Sequence, residues 1–377
     1  MKLKHKIVIL VGTRPEIIKL SVLIKSMKDI FDLKIVHTGQ NYDKNLKDVF
    51  IKDLEIKNKI KYLNIKFKTT SEFIGRSIIE FDKYLSTNRI VDGLVVLGDT
   101  NSGIAAIAAK KRKIPIFHIE AGNRCFEQRV PEEVNRKILD NLSDINFVYS
   151  NIAKEYLVSE KFDPRTVIKV GSPMKEVINH YYKKILKSNI LNELKVKKNN
   201  YIIFSTHREE NVDDFKSLKQ ITKIINEIKK KYNLPIIFSV HPRTKYHLTK
   251  KKIIKDVKNI NLQKPFNFTD YIFLCMNSKL VISDSGTLTE ESSILNFNAI
   301  NLREEHERPE GAEEGSVIMS GIDYENIIKI TEYFMQHNPK SKIKIVEDYN
   351  VDNFSEKVIR NILSNIRFVN HRIYKKN

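Results

Sequence analysis

The sequence predicts an α/β protein built as two doubly wound domains facing across a cleft, and three observations carry that prediction. Short continuous apolar runs, rich in β-branched residues, alternate with helix-forming stretches. Nearly every run ends in a polar cluster, often containing glycine. The whole pattern then restarts near residue 201. Continuous apolar runs are what strands buried on both faces of a parallel sheet look like. Alternation of such strands with helices is the signature of a doubly wound sheet. A length of 377 residues suits about two domains.

In order, Ile7–Val11 reads as the first strand, and Gly12-Thr13-Arg14-Pro15-Glu16 turns it into a helix with Thr13 or Arg14 at the cap. Leu33–Thr38, Leu94–Leu97 and Ile114–Ile119 are further strands, with an alanine-rich helix over Ser102–Lys111. Pro131-Glu132-Glu133 opens the next helix, and Ile145–Tyr149 and Val167–Val170 close the first sheet. Gly171-Ser172-Pro173 is the expected hinge, giving domains over 1–171 and 172–352. Tyr201–Ser205, Ile236–Val240, 259–262 and Leu280–Ile282 are the strands expected of the second domain, with a helix over Thr269–Met276. The lysine-rich segments 183–198 and 245–258 read as solvated helix faces. The amphipathic tail, 353–369, reads as a helix packing back on the first domain.

Composition narrows the function. Hydrophobic residues make up 41%, enough for full cores. No apolar run is long enough for a bilayer span, and the opening run stops too early at Gly12 for a signal peptide, so a cytoplasmic, membrane-free protein is expected. Cys125 and Cys275 offer neither a disulfide framework nor a metal spacing. The net charge of +20 is spread along the chain without an aromatic-interleaved basic repeat, which argues against nucleic acid as partner.

Ligands of open α/β sheets bind at the carboxyl ends of the strands. There the first half places Arg14, Lys19, Asp99, Glu120, Arg124, Glu132 and Arg136, and the second half His207, Arg208, His241, Arg243, Ser285, Glu291 and Arg308. The cations suit a diphosphate. The carboxylates must then handle protons or hydroxyls. Asp284-Ser285-Gly286-Thr287, between a strand and a helix, suits a phosphate at a helix N-terminus, with Glu290 and Glu291 placed for ribose hydroxyls; an ordinary capped turn has the same appearance. No metal or other cofactor is called for.

GTRPEIIK (12–19), GDTNS (98–102), HIEAGNR (118–124), PEEVNR (131–136), THREEN (206–211), HPR (241–243), DSGTLTEE (284–291) and ERPEG (307–311) stand in one order. Together they resemble the non-hydrolysing UDP-N-acetylglucosamine 2-epimerase family across nearly the full chain. The resemblance implies a glycosyltransferase-B fold of two Rossmann-like domains with UDP in the cleft, and a homodimer. It also implies NAD-independent inversion of C2 of a UDP-2-acetamido sugar, through elimination and re-addition of UDP. By the same resemblance Asp99, Glu120 and Glu132 are acid/base candidates and His207 assists the leaving diphosphate. Arg14 and Lys19 reach substrate, Ser285, Gly286 and Thr287 form the phosphate turn, and Glu291 takes the ribose. The short loop NRCFEQRVPEE (123–133) resembles the branch acting on modified sugars, such as UDP-2-acetamido-2,6-dideoxy-L-talose or UDP-2,3-diacetamido-2,3-dideoxyglucuronate. Thr287 replaces the family's usual second glycine, and of the activator site found in some relatives only Gln40 and Asp43 match. A glycosyltransferase of the same fold and a non-catalytic nucleotide-binding protein are the competing expectations.

Overall fold

A computed structural model describes the chain except at residues 1–3, 41–50, 52, 89, 128–129, 258–259, 306, 338–342 and 377. It divides into two compact units, Met1–His180 with Asn350–Asn377, and Tyr181–Tyr349. The boundary falls inside the helix Met174–Ile185. Asp43 and the stretch 258–259 lie outside the described residues.

The first unit holds β1 (Lys6–Val11), β2 (Asp32–His37), β3 (Ile60–Tyr62), β4 (Gly93–Leu97), β5 (Ile116–Ala121), β6 (Ile145–Val148) and β7 (Val167–Lys169). They form one parallel sheet in the order β3-β2-β1-β4-β5-β6-β7. The second unit holds β8 (Ile202–Thr206), β9 (Ile236–Val240), β10 (Asn261–Gln263), β11 (Leu280–Ser283), β12 (Ala299–Asn301) and β13 (Ile318–Met319). Their order, β10-β9-β8-β11-β12-β13, repeats that of the first six strands, again all parallel. The order of strands therefore reverses once in each sheet, between β1 and β4 in the first and between β8 and β11 in the second. At such a switch point the loops diverge to opposite faces and leave a crevice at the strands' carboxyl ends.

Burial explains the unbroken apolar runs. Ile202, Phe204, Ile236, Phe238, Leu280 and Ile282 face one core of the second unit, while Tyr201, Ile203, Ile237 and Val281 face the other. Successive side chains alternate between two covered faces, so neither parity is polar. In the first unit Val8, Leu10, Leu94 and Val96 pack on Phe81 and Leu85 of the helix Thr70–Thr87.

The tail forms the helix Phe354–Phe368 against the helix Arg14–Met27, burying Phe354, Val358, Ile359, Ile362 and Ile366. The alanine-rich segment begins as a 3₁₀ turn, Gly103–Ala105, and becomes α-helical only at Ala106. Three strands, β3, β12 and β13, have no counterpart in the sequence reading; each spans three residues or fewer. Among the described residues no helix is long and apolar enough to cross a membrane.

Candidate active site

The first unit's switch point is tied together by Glu16. Its Oε2 accepts from the N–H of Gly12 at 3.0 Å, and from the N–H and hydroxyl of Thr13 at 2.6 and 2.7 Å. Its Oε1 accepts from the Thr100 hydroxyl at 3.1 Å. Thr13 is the N-cap of Arg14–Met27, and Glu16 at the third helical position reaches back to it, as in a capping box. One carboxylate thus joins the ends of β1 and β4. Burial pushes Glu16 up to about 7, against these four donors, which pull it down. Gly12 has to be glycine: a Cβ there would stand 1.7 Å from Ser102 Oγ and 2.6 Å from Thr38 Oγ1.

Glu120, the last residue but one of β5, sits at φ 69°, a left-handed conformation that is strained for a residue with a Cβ. The ladder to β6 slips there, between Ile119 and Ala121. A bulge of this kind re-aims a side chain. The Glu120 carboxylate accepts from Lys19 Nζ at 2.8 Å and from the Tyr149 hydroxyl at 3.2 Å. Lys19 is buried and also lies over the Tyr149 ring, 5.3 Å from its centroid. Glu120 Oε2 is 3.9 Å from the position a Cβ on Gly98 would take, so the ends of β4 and β5 bring Glu120 beside the Gly98-Asp99 turn.

Asp99 faces Arg136, whose Nε and Nη2 both lie 2.8 Å from Oδ2. Arg136 also binds the buried Glu133 at 2.9 Å, and Cys125 donates from Sγ to Glu133 at 3.2 Å. Burial pushes the Cys125 thiol up, which suits a structural donor rather than a nucleophile. Asn135 donates to the Asp99 carbonyl and to Asn101 Oδ1, both at 2.9 Å. Glu132 and Arg14 are half-buried. Gln40 Oε1 is engaged by the N–H and hydroxyl of Ser102 at 3.1 and 2.8 Å.

Arg124 lies in different surroundings. Its guanidinium is closed off from solvent and binds Asp140 at 2.7 Å and Glu160 at 2.8 and 2.7 Å. Asp140 also faces His118 Nδ1 at 3.0 Å and receives the Gly122 N–H. His118 Nε2 meets the Gly98 carbonyl at 2.8 Å. Burial disfavours the imidazolium, yet Asp140 and the Gly98 carbonyl outweigh it and hold His118 above its ordinary value.

In the second unit the hub is Asp284, which the sequence reading placed in the turn after β11 without a bridging role. Fully buried at the end of β11, it accepts from the Thr206 hydroxyl at 2.7 Å, the N–H groups of His207 and Arg208 at 3.0 and 3.1 Å, and Asn211 Nδ2 at 3.0 Å. Desolvation alone would raise its carboxyl; His207 and these donors hold it far below the usual carboxylate range. His207 Nδ1 lies 3.0 Å from Asp284, so the pair holds the ring's orientation. Asp284 therefore fixes β8 to β11 across the second switch point, as Glu16 fixes β1 to β4.

The turn Ser285-Gly286-Thr287 follows. Thr287 caps the helix Leu288–Leu295 at φ −77° and ψ −10°, ordinary right-handed geometry, so a second glycine is not needed there. Its hydroxyl and that of Ser285 are 3.1 Å apart. Gly286 abuts a charged cluster: Glu307 Oε1, Arg303 Nη2 and Arg308 Nη1 would lie 2.9, 3.2 and 3.3 Å from a Cβ added to it. Glu290, expected beside Glu291 at a ribose, turns instead to Arg308 Nε at 3.1 Å. Glu291 is buried one position further on. His241 caps the helix Pro242–Lys250, its ring 6.0 Å from that of His207. Arg243 is paired with Asp213 on a half-exposed face.

Two parallel sheets of the same strand order, each with its polar hub at a switch point, define a protein of two Rossmann-like units, the glycosyltransferase-B type. MurG from Acinetobacter baumannii, 12% identical with a TM-score of 0.56, shares that fold. Sequence carries the classification further. The chain belongs to the UDP-N-acetylglucosamine 2-epimerase family, whose model matches residues 25–363, and it is an isomerase. It is 37% identical over 344 residues to a UDP-N-acetylglucosamine 2-epimerase of Methanocaldococcus jannaschii, covering 88% of this chain and 92% of that one. A UDP-2,3-diacetamido-2,3-dideoxy-D-glucuronate 2-epimerase of Pseudomonas aeruginosa is 31% identical over 86% of this chain and 90% of its own. The solved UDP-N-acetylglucosamine 2-epimerase of Rickettsia bellii superposes with a TM-score of 0.91 at 40% identity, covering 99% of this chain and 100% of its own. An M. jannaschii UDP-GlcNAc 2-epimerase solved with UDP-GlcNAc and UDP gives 0.89 at 34% identity, covering 96% and 100%.

Proposed function

We propose that this isomerase acts on UDP-N-acetylglucosamine, inverting C2 without NAD. A carboxylate removes the C2 proton, the C1–O bond breaks, and UDP leaves with the electron pair to give a 2-acetamidoglucal. UDP then re-adds at C1 while a proton reaches C2 from the opposite face. The observation that carries this reading is the pair of carboxylates at adjacent strand ends, Asp99 and Glu120, the latter held in a strained bulge by Lys19 and Tyr149. In this reading Asp99, Glu120 and Glu132 exchange the protons, work that contributes roughly 10²–10⁴-fold. His207 assists the diphosphate through Nε2. Ser285, Gly286, Thr287 and Arg308 hold the diphosphate with Arg14, Lys19, Arg208, His241 and Arg243, and Glu291 takes the ribose. Arg124 and Arg136 act through Asp140 and Asp99.

The sugar is chosen on relatives: the 37% identical one is named for UDP-N-acetylglucosamine, the 31% one for a diacetamido-glucuronate. The short loop after Gly122 favours a modified sugar as the second reading. A homodimer, the cytoplasm and supply of surface polysaccharide belong to the same proposal and rest on family resemblance.

The test is turnover in heavy water with a panel of UDP-2-acetamido sugars, followed by NMR. Deuterium should enter C2 of UDP-N-acetylglucosamine and of its C2 epimer. Exchange confined to a 2,3-diacetamido uronate or a 6-deoxy sugar selects the second reading, and no exchange with any of them removes both.

A further inference from the structure

Arg303 has no role in the reading above. It follows β12 and is almost wholly buried, its side chain 5% exposed. Nε donates to the Asp284 carbonyl at 2.9 Å, and Nη1 pairs with Glu307 Oε2 at 2.5 Å. Nη2 has no hydrogen-bond acceptor among the described residues. It stands 3.2 Å from the position of a Cβ on Gly286, against the phosphate turn. A guanidinium held this firmly by two acceptors, with its remaining nitrogen turned to a helix N-terminus, is placed to donate to a ligand there.

The neighbours strengthen the point. Arg308 Nη1 meets the other oxygen of Glu307 at 2.5 Å, so one carboxylate bridges two guanidiniums beside Gly286. Arg208 and Arg308 both oppose the charge on Arg303. Like charges held together against their repulsion are relieved by an anion between them. The acids present are already engaged: Asp284 by Thr206, His207, Arg208 and Asn211, Glu290 by Arg308, and Glu307 by both arginines. The helix Leu288–Leu295 adds its N-terminal N–H groups on the same side.

We propose that Arg303 is a further binding residue for the diphosphate of a nucleoside diphosphate, its Nη2 donating to a phosphate oxygen and Glu307 setting its position. This rests on the UDP-sugar reading. Full-length protein and the variants Arg303→Gln, Arg303→Lys and Glu307→Gln are titrated with UDP by calorimetry and with uridine by ligand-observed NMR, alongside thermal unfolding without ligand. Arg303→Gln should weaken UDP about 10- to 100-fold, the value of a charge-assisted hydrogen bond, while uridine affinity stays within about twofold. Arg303→Lys should fall between. If Arg303→Gln does not fold, the UDP-to-uridine ratio is read from Arg303→Lys and Glu307→Gln, and should fall in both. Equal losses for UDP and uridine, or an unchanged ratio, overturn the assignment. A wild-type protein that ignores UDP overturns the UDP-sugar reading itself.

Discussion

Glu120 and Asp99, the proton-transfer residues of the proposed reaction, are each held in place by named partners. Glu120 accepts backbone strain to leave the β5–β6 ladder, and Lys19 and Tyr149 fix its oxygen. Asp99 is fixed by Arg136. Asp99→Asn and Glu120→Gln should each lower C2 deuterium exchange by about 10²–10⁴-fold, measured by NMR, while UDP affinity changes little. Retained exchange in both variants removes them from the proton-transfer role. Glu16 gives a pH signature. Its folded value of about 7 lies above the ordinary value of 4.5, so the native state holds the extra proton between those limits. Stability should therefore fall as pH rises from about 4.5 to 7, and Glu16→Gln should flatten that slope in denaturant melts. The motif reading named Asp99, Glu120, Glu132 and Arg136 as candidates. It gave no role to Tyr149, Asp140 and Arg303, and it placed Glu16 and Asp284 in their turns without seeing that they bridge strands, because each acts through a partner distant in sequence, such as Thr100 for Glu16 and Thr206 for Asp284.

At the scale of elements, the strand ends are built to touch. Gly12→Ala would drive a methyl group into Ser102 and Thr38, at the ends of β1, β2 and β4. Overpacking of that kind costs about 1–3 kcal/mol, read as a lowered denaturation midpoint, and should slow turnover by moving Glu16 and Thr100 beside Asp99. Asp284→Asn should act likewise on β8 and β11. Its carboxyl is depressed in the fold, so its contribution is present at neutral pH and lost as pH falls below the ordinary carboxylate range. The variant should be weaker by about 3–5 kcal/mol at pH 7 and differ less from wild type in acid. Longer strands were legible because burial on two faces forces unbroken apolar runs. β3, β12 and β13 were not read; strands of three residues or fewer carry no period of their own, and β7 and β10, equally short, were found only from their place in the alternation of strand and helix.

For the whole molecule, the tail belongs to the first unit although it follows the second in sequence. Its apolar stripe, Phe354, Val358, Ile359, Ile362 and Ile366, covers the helix that carries Thr13, Glu16 and Lys19. Burying five such side chains contributes on the order of 10 kcal/mol, comparable to the stability of a domain. Removing 350–377 should expose amides of β1 and β4 to hydrogen exchange and leave β8 and β11 protected. Equal loss of protection in both units would mean that the tail serves the second unit as well.

The sequence by itself determined the doubly wound pattern, the restart near residue 201 and the ordered motifs that place the chain in its family, because two-faced burial and strand-end glycines leave local marks. Only the tertiary structure decided how the strand ends are joined: the identical strand orders, Glu16 and Asp284 bridging the two switch points, Arg124 enclosed between Asp140 and Glu160, and Arg303 against Gly286. Hydrogen bonds between residues 16 and 100, or 206 and 284, depend on which strands lie side by side, and no local periodicity encodes that.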